Sequence, residues 1–572
     1  MEGDDRTAAL PPVRLTVGVT AHRDLLPEHA PAIRARLRAL FEELEQRFPL
    51  TPLQALCPLA EGGDRLFAEV ARDRGIPLVV PLPLPLEHYL ADFSGPGSVA
   101  EFEALCREAT VLELPRAPGS TPEAIARPGQ ARDREYARLG VFVSSHSQLL
   151  VALWDGRRSG LVGGTDQIVR YRLYNVHPTR AESRDPGPAV IADDENDLTY
   201  HIRCARGRSG EAASPAGVTG VWLTGDPEHP RADHMPERYT RIFAATGEFN
   251  REAARWHPGE DTTALPPGCP PGIRHIARVF AAADVLANRY QRRLNFVLRA
   301  TYLLAVFMGG VYVGYSTIPS QRALLYAFLA LFATGLMLYE WSRRRAWHRR
   351  YLDHRVLAEG LRVQLYWALA GVTTDDGRFA LESFLQTQDP DLGWIRHVMR
   401  DVELHAGVVP DPGENGLAFA ARHWIGDTDD PHARGQWHYY RRKAVQRHRL
   451  HRLTERLGAV CLWSGMAIAV FLAAAGTGLS HRTHTVLLLL LGLLPLIAAV
   501  RAAYSHKRAD KELIKQYRFM ERAFRNAQRR LAVTTGVQER RDVLRALGNA
   551  ALDEHAEWIL MHRERPPEQS RL

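Results

Sequence analysis

Cysteine is scarce in the 572 residues: Cys57, Cys106, Cys204, Cys269 and Cys461 stand far apart, and none forms a CxxC pair. That excludes a zinc ribbon, a thioredoxin-type redox motif and a disulfide framework, and it fits reduced thiols in a cytosolic compartment. HExxH, GxSxG and Walker A patterns are missing, and with them the common signatures of zinc proteases, α/β-hydrolases and P-loop NTPases. His481 and His484 have no third ligand beside them and read as polar turn residues, so no metal is expected. Composition, at 45% hydrophobic and 24% charged residues, excludes wholesale disorder and a collagen-like chain. The opening MEGDDRTAALPP is acidic and has no apolar core, unlike a signal peptide, so the first domain is expected on the cytosolic side.

What the sequence does have is segregation. Mean hydropathy is −0.25, yet four uncharged apolar runs fall in the C-terminal half, at 300–321, 323–339, 457–480 and 485–500. A helix crossing the ~30 Å hydrocarbon layer needs about 20 residues, with a range of roughly 17–25. The first and third runs meet this comfortably. The second and fourth hold 17 and 16 residues, and flanks such as Arg501, which can snorkel, extend them. LLLLLGLLPLIAAV and AVCLWSGMAIAVFLAAAGTG carry no polar stripe, which argues against buried hairpins of a soluble core. Spans are expected at about 300–318, 323–340, 457–478 and 484–503.

The net charge of +8 is modest, and its location is informative. SRRRAWHRRYLDHR (342–355) holds six arginines and RRKAVQRHRLHRLTER (441–456) holds seven basic residues, whereas the short turns hold one arginine each, Arg322 and Arg482. Basic loops stay inside, so both termini and the long middle linker are expected in the cytosol, and the protein in the inner membrane. Positive charge beside an anionic leaflet makes nucleic-acid binding an unnecessary explanation of the basic pI. Each hairpin is preceded by a basic, aromatic helix and followed by a long charged one, one module used twice. Gly310 and Gly314 form a GxxxG that allows close helix contact. Pro495 is expected to bend the fourth span. No Asp, Glu or Lys lies inside the four apolar runs, which argues against a proton pump or charge-coupled transporter.

The first ~180 residues alternate strand and helix patterns. Strands read at 13–19, 53–59, 76–82, 110–114 and 148–154, with helices at 30–48, 65–73, 86–93, 99–108 and 133–144. Continuous Val/Leu runs are the mark of parallel strands buried on both faces, so the expected fold is a doubly wound, Rossmann-like α/β domain followed by an all-α four-span region with long cytosolic helices. The informative residues sit at strand ends, where open α/β sheets bind ligands. After the first strand come Gly18, Thr20, His22, Arg23 and Asp24. After the second come Glu61, Gly62, Gly63, Asp64 and Arg65, and after the last Asp155, Gly156, Gly160, Gly163, Gly164 and Thr165. A glycine-rich turn that opens a helix lets backbone N–H groups reach phosphate. Arg23 and Arg65 can neutralise that phosphate, and Asp64 or Asp155 can accept ribose hydroxyls. Each turn alone also reads as ordinary loop chemistry, and the three together point to a nucleotide-like ligand.

GVTAHR (18–23), LAEGGDRL (59–66) and ALWDG (152–156) through Gly163, Gly164 and Thr165 resemble the SLOG superfamily, the Rossmann-like group of DprA-type and LOG-type proteins. The resemblance covers 13–175, and reaches ~225 if 198–204 and 221–224 add strands. It implies binding of a nucleotide or nucleotide-derived ligand. LOG-type hydrolases carry a catalytic glutamate three residues after the motif threonine; here that position is Ile168, which favours sensing over hydrolysis. The C-terminal half resembles the SLATT family of two-span domains, through QWHYYRRK (436–443), Ala509, Asp510, Lys511, Tyr517, Leu547, Gly548, Glu557 and Trp558. The stretch ADVLA (283–287) with Tyr290 resembles a second copy. That family is associated with nucleotide sensors in bacterial conflict systems.

The expected organisation is a nucleotide-binding domain (1–225), an irregular extension (226–275), a first hairpin (276–372), a cytosolic helical insert (373–430) and a second hairpin (431–572). The expected function is a membrane effector of anti-phage defence that senses a nucleotide messenger and permeabilises the bilayer as a homo-oligomer, with a signal-producing enzyme encoded nearby. The alternative is a membrane-anchored, phosphoribohydrolase-like enzyme using Glu61 or Asp64, and a third reading is a passive scaffold.

Overall fold

The computed structural model describes residues 10–158, 160–178, 197–207, 218–256, 265–318, 322–373, 384, 390–407, 411–426, 435–475, 479–507 and 510–563. Eight strands form one sheet: β1 (Leu15–Ala21), β2 (Leu53–Leu56), β3 (Leu78–Leu82), β4 (Thr110–Glu113), β5 (Leu149–Trp154), β6 (Thr199–Arg203), β7 (Thr219–Leu223) and β8 (Arg231–Ala232). Their order is β4-β3-β2-β1-β5-β6-β7-β8. The first six are parallel, while β6–β7 and β7–β8 are antiparallel, so the sheet is mixed. Strands β1, β2, β3 and β5 are buried nearly throughout, as their unbroken apolar runs require. Strand β4 forms the exposed edge.

The helices that accompany these strands are α1 (Ala30–Arg47), α2 (Gly63–Asp73), α3 (Leu86–Leu90), α4 (Pro96–Cys106), α5 (Pro122–Ile125), α6 (Gln130–His146), α7 (Thr165–Tyr174) and α8 (Glu237–Ala253). The stretch 226–275, read from sequence as irregular, contains the 17-residue α8. Its buried face, Tyr239, Ile242, Phe243, Thr246, Phe249, Asn250 and Ala253, follows helical spacing. The Asn250 amide donates to the carbonyls of Val13 (2.9 Å) and Leu50 (2.8 Å), and its oxygen accepts the Val13 N–H (2.9 Å). Buried Arg172 on α7 donates to the carbonyls of Ser144, Ser147 (2.9 Å), Gln148 (3.1 Å) and Leu198 (3.2 Å), tying the α6–β5 turn to the residue before β6.

The remaining helices are α9 (Pro271–Thr317), α10 (Arg322–Arg344), α11 (Trp347–Ala370), α12 (Gly393–Ala406), α13 (Gly413–Ala420), α14 (Gln436–Ala475), α15 (His481–Lys507), α16 (Asp510–Val533) and α17 (Val537–Arg563). The chain divides into two compact units: 1–282 with 360–413, and 283–359 with 414–572. The first therefore holds α8 and α12 as well as the sheet. Phe249 and Trp394 rings lie 5.9 Å apart, and Leu404 joins Leu56, Val79, Leu139, Val143, Leu150 and Ile168 in one core cluster.

The first turns of α9, up to Ala282, belong to the first unit; the rest of α9, together with α10, α14 and α15, lies in the second, and each of these four holds a segment long and apolar enough to cross a membrane. The basic segments expected to precede the first and third spans are continuous with them, as parts of the 47-residue α9 and the 40-residue α14. Close crossing of α9 and α15 depends on different glycines from the GxxxG pair. A Cβ on Gly309 would come within 2.4 Å of Leu496, and one on Gly492 within 2.7 Å of Val313. At Gly310 and Gly314 it would meet only ordinary contacts at 3.6 Å. Pro495 lies inside α15.

Candidate functional site

Strand order reverses between β1 and β5, and the turns that follow β1, β2 and β5 meet at that end of the sheet. The His22 N–H donates to Leu153 O (3.1 Å), and the His22 carbonyl accepts the Gly63 N–H (3.1 Å). Its Nε2 lies 3.2 Å from Asp155 Oδ1. His22 thus bridges all three turns, and both it and the Asp155 side chain are buried. Burial opposes ionisation of Asp155, but the Arg157 N–H and His22 outweigh it and hold its carboxyl below the usual range.

The β2–α2 turn is built for close approach. Leu59 (φ 60°) and Gly62 (φ 85°) both adopt left-handed backbone, which a glycine takes without steric cost and a leucine does not. A Cβ on Gly62 would stand 2.2 Å from the Arg23 carbonyl, and one on Gly63 2.5 Å from Ala21 Cβ. These glycines let the start of α2 press against the end of β1.

Beside this contact opens a cleft of about 500 Å³. Arg23, Glu61, Gly62 and Arg65 line it as sequence reasoning placed them, together with Arg34 and Glu69 and with Ser94, Ser98 and Glu101. Most of its charges are paired internally. Arg34 meets Glu69 at 2.5 Å, and Arg65 meets Glu101 at 2.6 Å. The buried Arg65 also donates from Nε to Leu59 O (3.3 Å) and lies 4.7 Å from the Phe93 ring centroid, so it braces the wall. Glu61 accepts the Ser94 N–H and hydroxyl (2.7 Å each) and the Ser98 hydroxyl. Slight burial raises its pKa, and these hydrogen bonds outweigh that and lower it. Arg23, 5.5 Å from the Tyr136 ring centroid, is the lining cation with no carboxylate at ion-pair distance among the described residues. Behind the cleft, burial pushes the Asp64 carboxyl up to about 7, against the pull of Arg23, the Ala60 N–H and Arg65.

No family model, curated protein or solved structure matches the chain. The assignment of a role therefore rests on the residues themselves.

The other predicted residues do not line the cleft. Gly18 sits inside β1, where a Cβ would fall 1.9 Å from Ser147 Oγ, and Thr20 pairs with Ala152 in the ladder. Asp24 is held by Arg206 at 2.9 Å. Gly156 (φ 84°) and Gly160 (φ 71°) are exposed turn residues. Gly163 (φ 73°) abuts α6, where a Cβ would meet the Ala137 nitrogen at 2.9 Å. Its N–H donates to Gln167 Oε1 (3.0 Å), and the Gly164 N–H to Leu161 O (3.0 Å). Thr165, the first residue of α7, is buried. Ile168 is turned into the core, against Gly140 of α6. The lining residues that sequence reasoning missed, Arg34, Glu69, Ser94, Ser98 and Glu101, come from α1, α2 and the segment around α4, and no local motif marks them.

Proposed function

We propose that the first unit is a Rossmann-like, SLOG-type sensor of a nucleotide-derived messenger, and that the four apolar helices form a SLATT-type effector that permeabilises the membrane when the messenger binds. One observation carries this reading: an open cleft at the strand ends holds Arg23 with no carboxylate at ion-pair distance among the described residues, in a chain that also holds four potential spans. The reversal of strand order between β1 and β5 and the start of α2 at the cleft favour an anionic ligand there. Strongly basic segments beside the apolar runs support cytosolic termini in an inner membrane. A pore lined by such spans needs a homo-oligomer, and defence against phage with a separately encoded messenger synthase is the setting.

The energetics are attainable. Moving a 1:99 open-to-closed balance to 99:1 needs about 5.5 kcal/mol of differential affinity. Charge-assisted hydrogen bonds contribute roughly 1.5–3 kcal/mol each, so about two to four phosphate contacts suffice. Dye release from liposomes containing the full-length protein tests it. Candidate nucleotides should trigger release in the wild type and fail at the same concentration with Arg23→Ala. Release that no nucleotide alters would sink the reading.

A second reading, a nucleotide-processing enzyme, draws on Asp64, whose raised pKa suits a general acid near neutrality. Glu61, held ionised by three donors, is poorly suited to give up a proton. Product analysis after incubation with nucleotides separates the readings: turnover abolished by Asp64→Asn favours the enzyme.

A further inference from the structure

Away from the cleft, but in the same unit, His275 near the start of α9 faces Asp401 and His405 of α12. One ring nitrogen of each histidine and one carboxylate oxygen lie within 4.8 Å of one another. Asp401 and His405 are four residues apart and so share a helix face. The imidazoles of His275 and His405 stand 5.3 Å apart between centroids. The two helices are held at backbone contact: a Cβ on Gly272 would fall 2.5 Å from Ala406 Cα. This places the first turn of α9 against the last turn of α12 with little freedom to shift.

Asp401 supplies the independent observation. It is 1% exposed, and neither carboxylate oxygen accepts a hydrogen bond. The His405 Nδ1–H is directed to the Asp401 backbone carbonyl at 2.8 Å, while Nδ1 lies 3.4 Å from Oδ1. A buried carboxylate whose nearest charge partner is one imidazole at 3.4 Å remains costly, and a cation between it and the two imidazoles lowers that cost. The Nδ1–H to carbonyl bond also fixes the tautomer, as it does in histidines that bind metal through the other nitrogen.

We propose that His275, Asp401 and His405 bind one divalent transition-metal ion of the Zn²⁺ class. Two imidazole nitrogens and one carboxylate suit such a cation, whereas Ca²⁺ and Mg²⁺ take oxygen donors. Metal–ligand bonds of about 2.0–2.2 Å put tetrahedral donors roughly 3.5 Å apart, so side-chain rotations closing about 1 Å complete the site on fixed helices. Water supplies the fourth ligand. The ion would pin the root of α9 to α12 inside the first unit.

The test uses full-length protein in detergent, stripped with a chelator and titrated with Co²⁺ alone. Wild type should develop visible d–d bands that saturate at one equivalent, and Zn²⁺ should bleach them. His275→Ala and His405→Ala should each weaken binding by at least about tenfold, while His481→Ala and His484→Ala leave it unchanged. His405 is partly exposed, so its replacement spares the core; a retained circular dichroism spectrum and an unaltered metal-free Tm check this. Zn²⁺ should raise the Tm of wild type and not of the double variant. Absence of a saturable band, or identical Co²⁺ binding by wild type and the His275→Ala/His405→Ala protein, would overturn the assignment.

Discussion

Replacing Asp64 by Asn isolates the cost of a buried carboxylate behind the cleft. In the folded protein burial raises the Asp64 pKa to about 7, against 3.8 for an exposed carboxyl. The folded state therefore holds this proton more tightly than the unfolded chain. Below about pH 4 both states are protonated and the group is neutral toward stability. Between pH 4 and 7 the unfolded chain ionises first and is favoured, so stability falls as pH rises; above pH 7 the full penalty is in place. At 1.36 kcal/mol per pH unit, the gap between 3.8 and about 7 amounts to about 4 kcal/mol. Asparagine has no charge to bury and its oxygen can still accept the Ala60 N–H. The difference in stability between Asp64→Asn and wild type should thus grow in the variant's favour from pH 4 to pH 8, on the order of 5 °C in Tm. Melting both full-length proteins across that range, and subtracting, cancels every other titrating group. Parallel pH profiles, or a variant less stable at pH 8 than at pH 4 relative to wild type, would refute the argument.

Gly62→Ala forces an alanine to φ 85° and drives its Cβ to 2.2 Å from the Arg23 carbonyl. A sparsely populated positive-φ backbone alone costs about 1–3 kcal/mol. A measurable fall in Tm together with lost nucleotide response is expected, while Gly97→Ala, with open space at its Cβ, should change neither. Gly492→Ala crowds Val313 and should lower the detergent-solubilised Tm, through an overpacking cost of about 1–3 kcal/mol; Gly335→Ala, whose Cβ meets nothing within 4 Å, is the control.

Much of the first unit could be read from the chain because parallel strands buried on both faces must be apolar throughout, as Leu149–Trp154 is. The antiparallel direction of β7 and β8, which makes the sheet mixed, was not legible, since their short, partly exposed pattern carries no direction. Helix α8 has a regular apolar face, yet Pro, Gly and Asp on both sides of it hide the signal. Arg23, Glu61, Gly62 and Arg65 were legible because a parallel sheet gathers its strand ends. Their partners were not: Ser94 and Glu101 reach the cleft only through the packing of α2 and α4. Glycines 163 and 164 show the converse limit. A phosphate-loop pattern and a tight helix–helix approach call for the same residue, and here Gly163 meets Ala137. Asp401 and His405 share a four-residue helical spacing, but His275 stands far off in the chain, so the three are not linked by any local motif.

Arg172 and Asn250 bear on where the first unit can be cut. A chain stopped shortly after α7 would keep the guanidinium but discard the Leu198 carbonyl it serves, and one stopped at β8 would strip the Val13 and Leu50 backbone of its amide cover. The smallest autonomous version of this fold must then run past residue 253, and a boundary drawn at the end of the recognisable loops would sever it in mid-core.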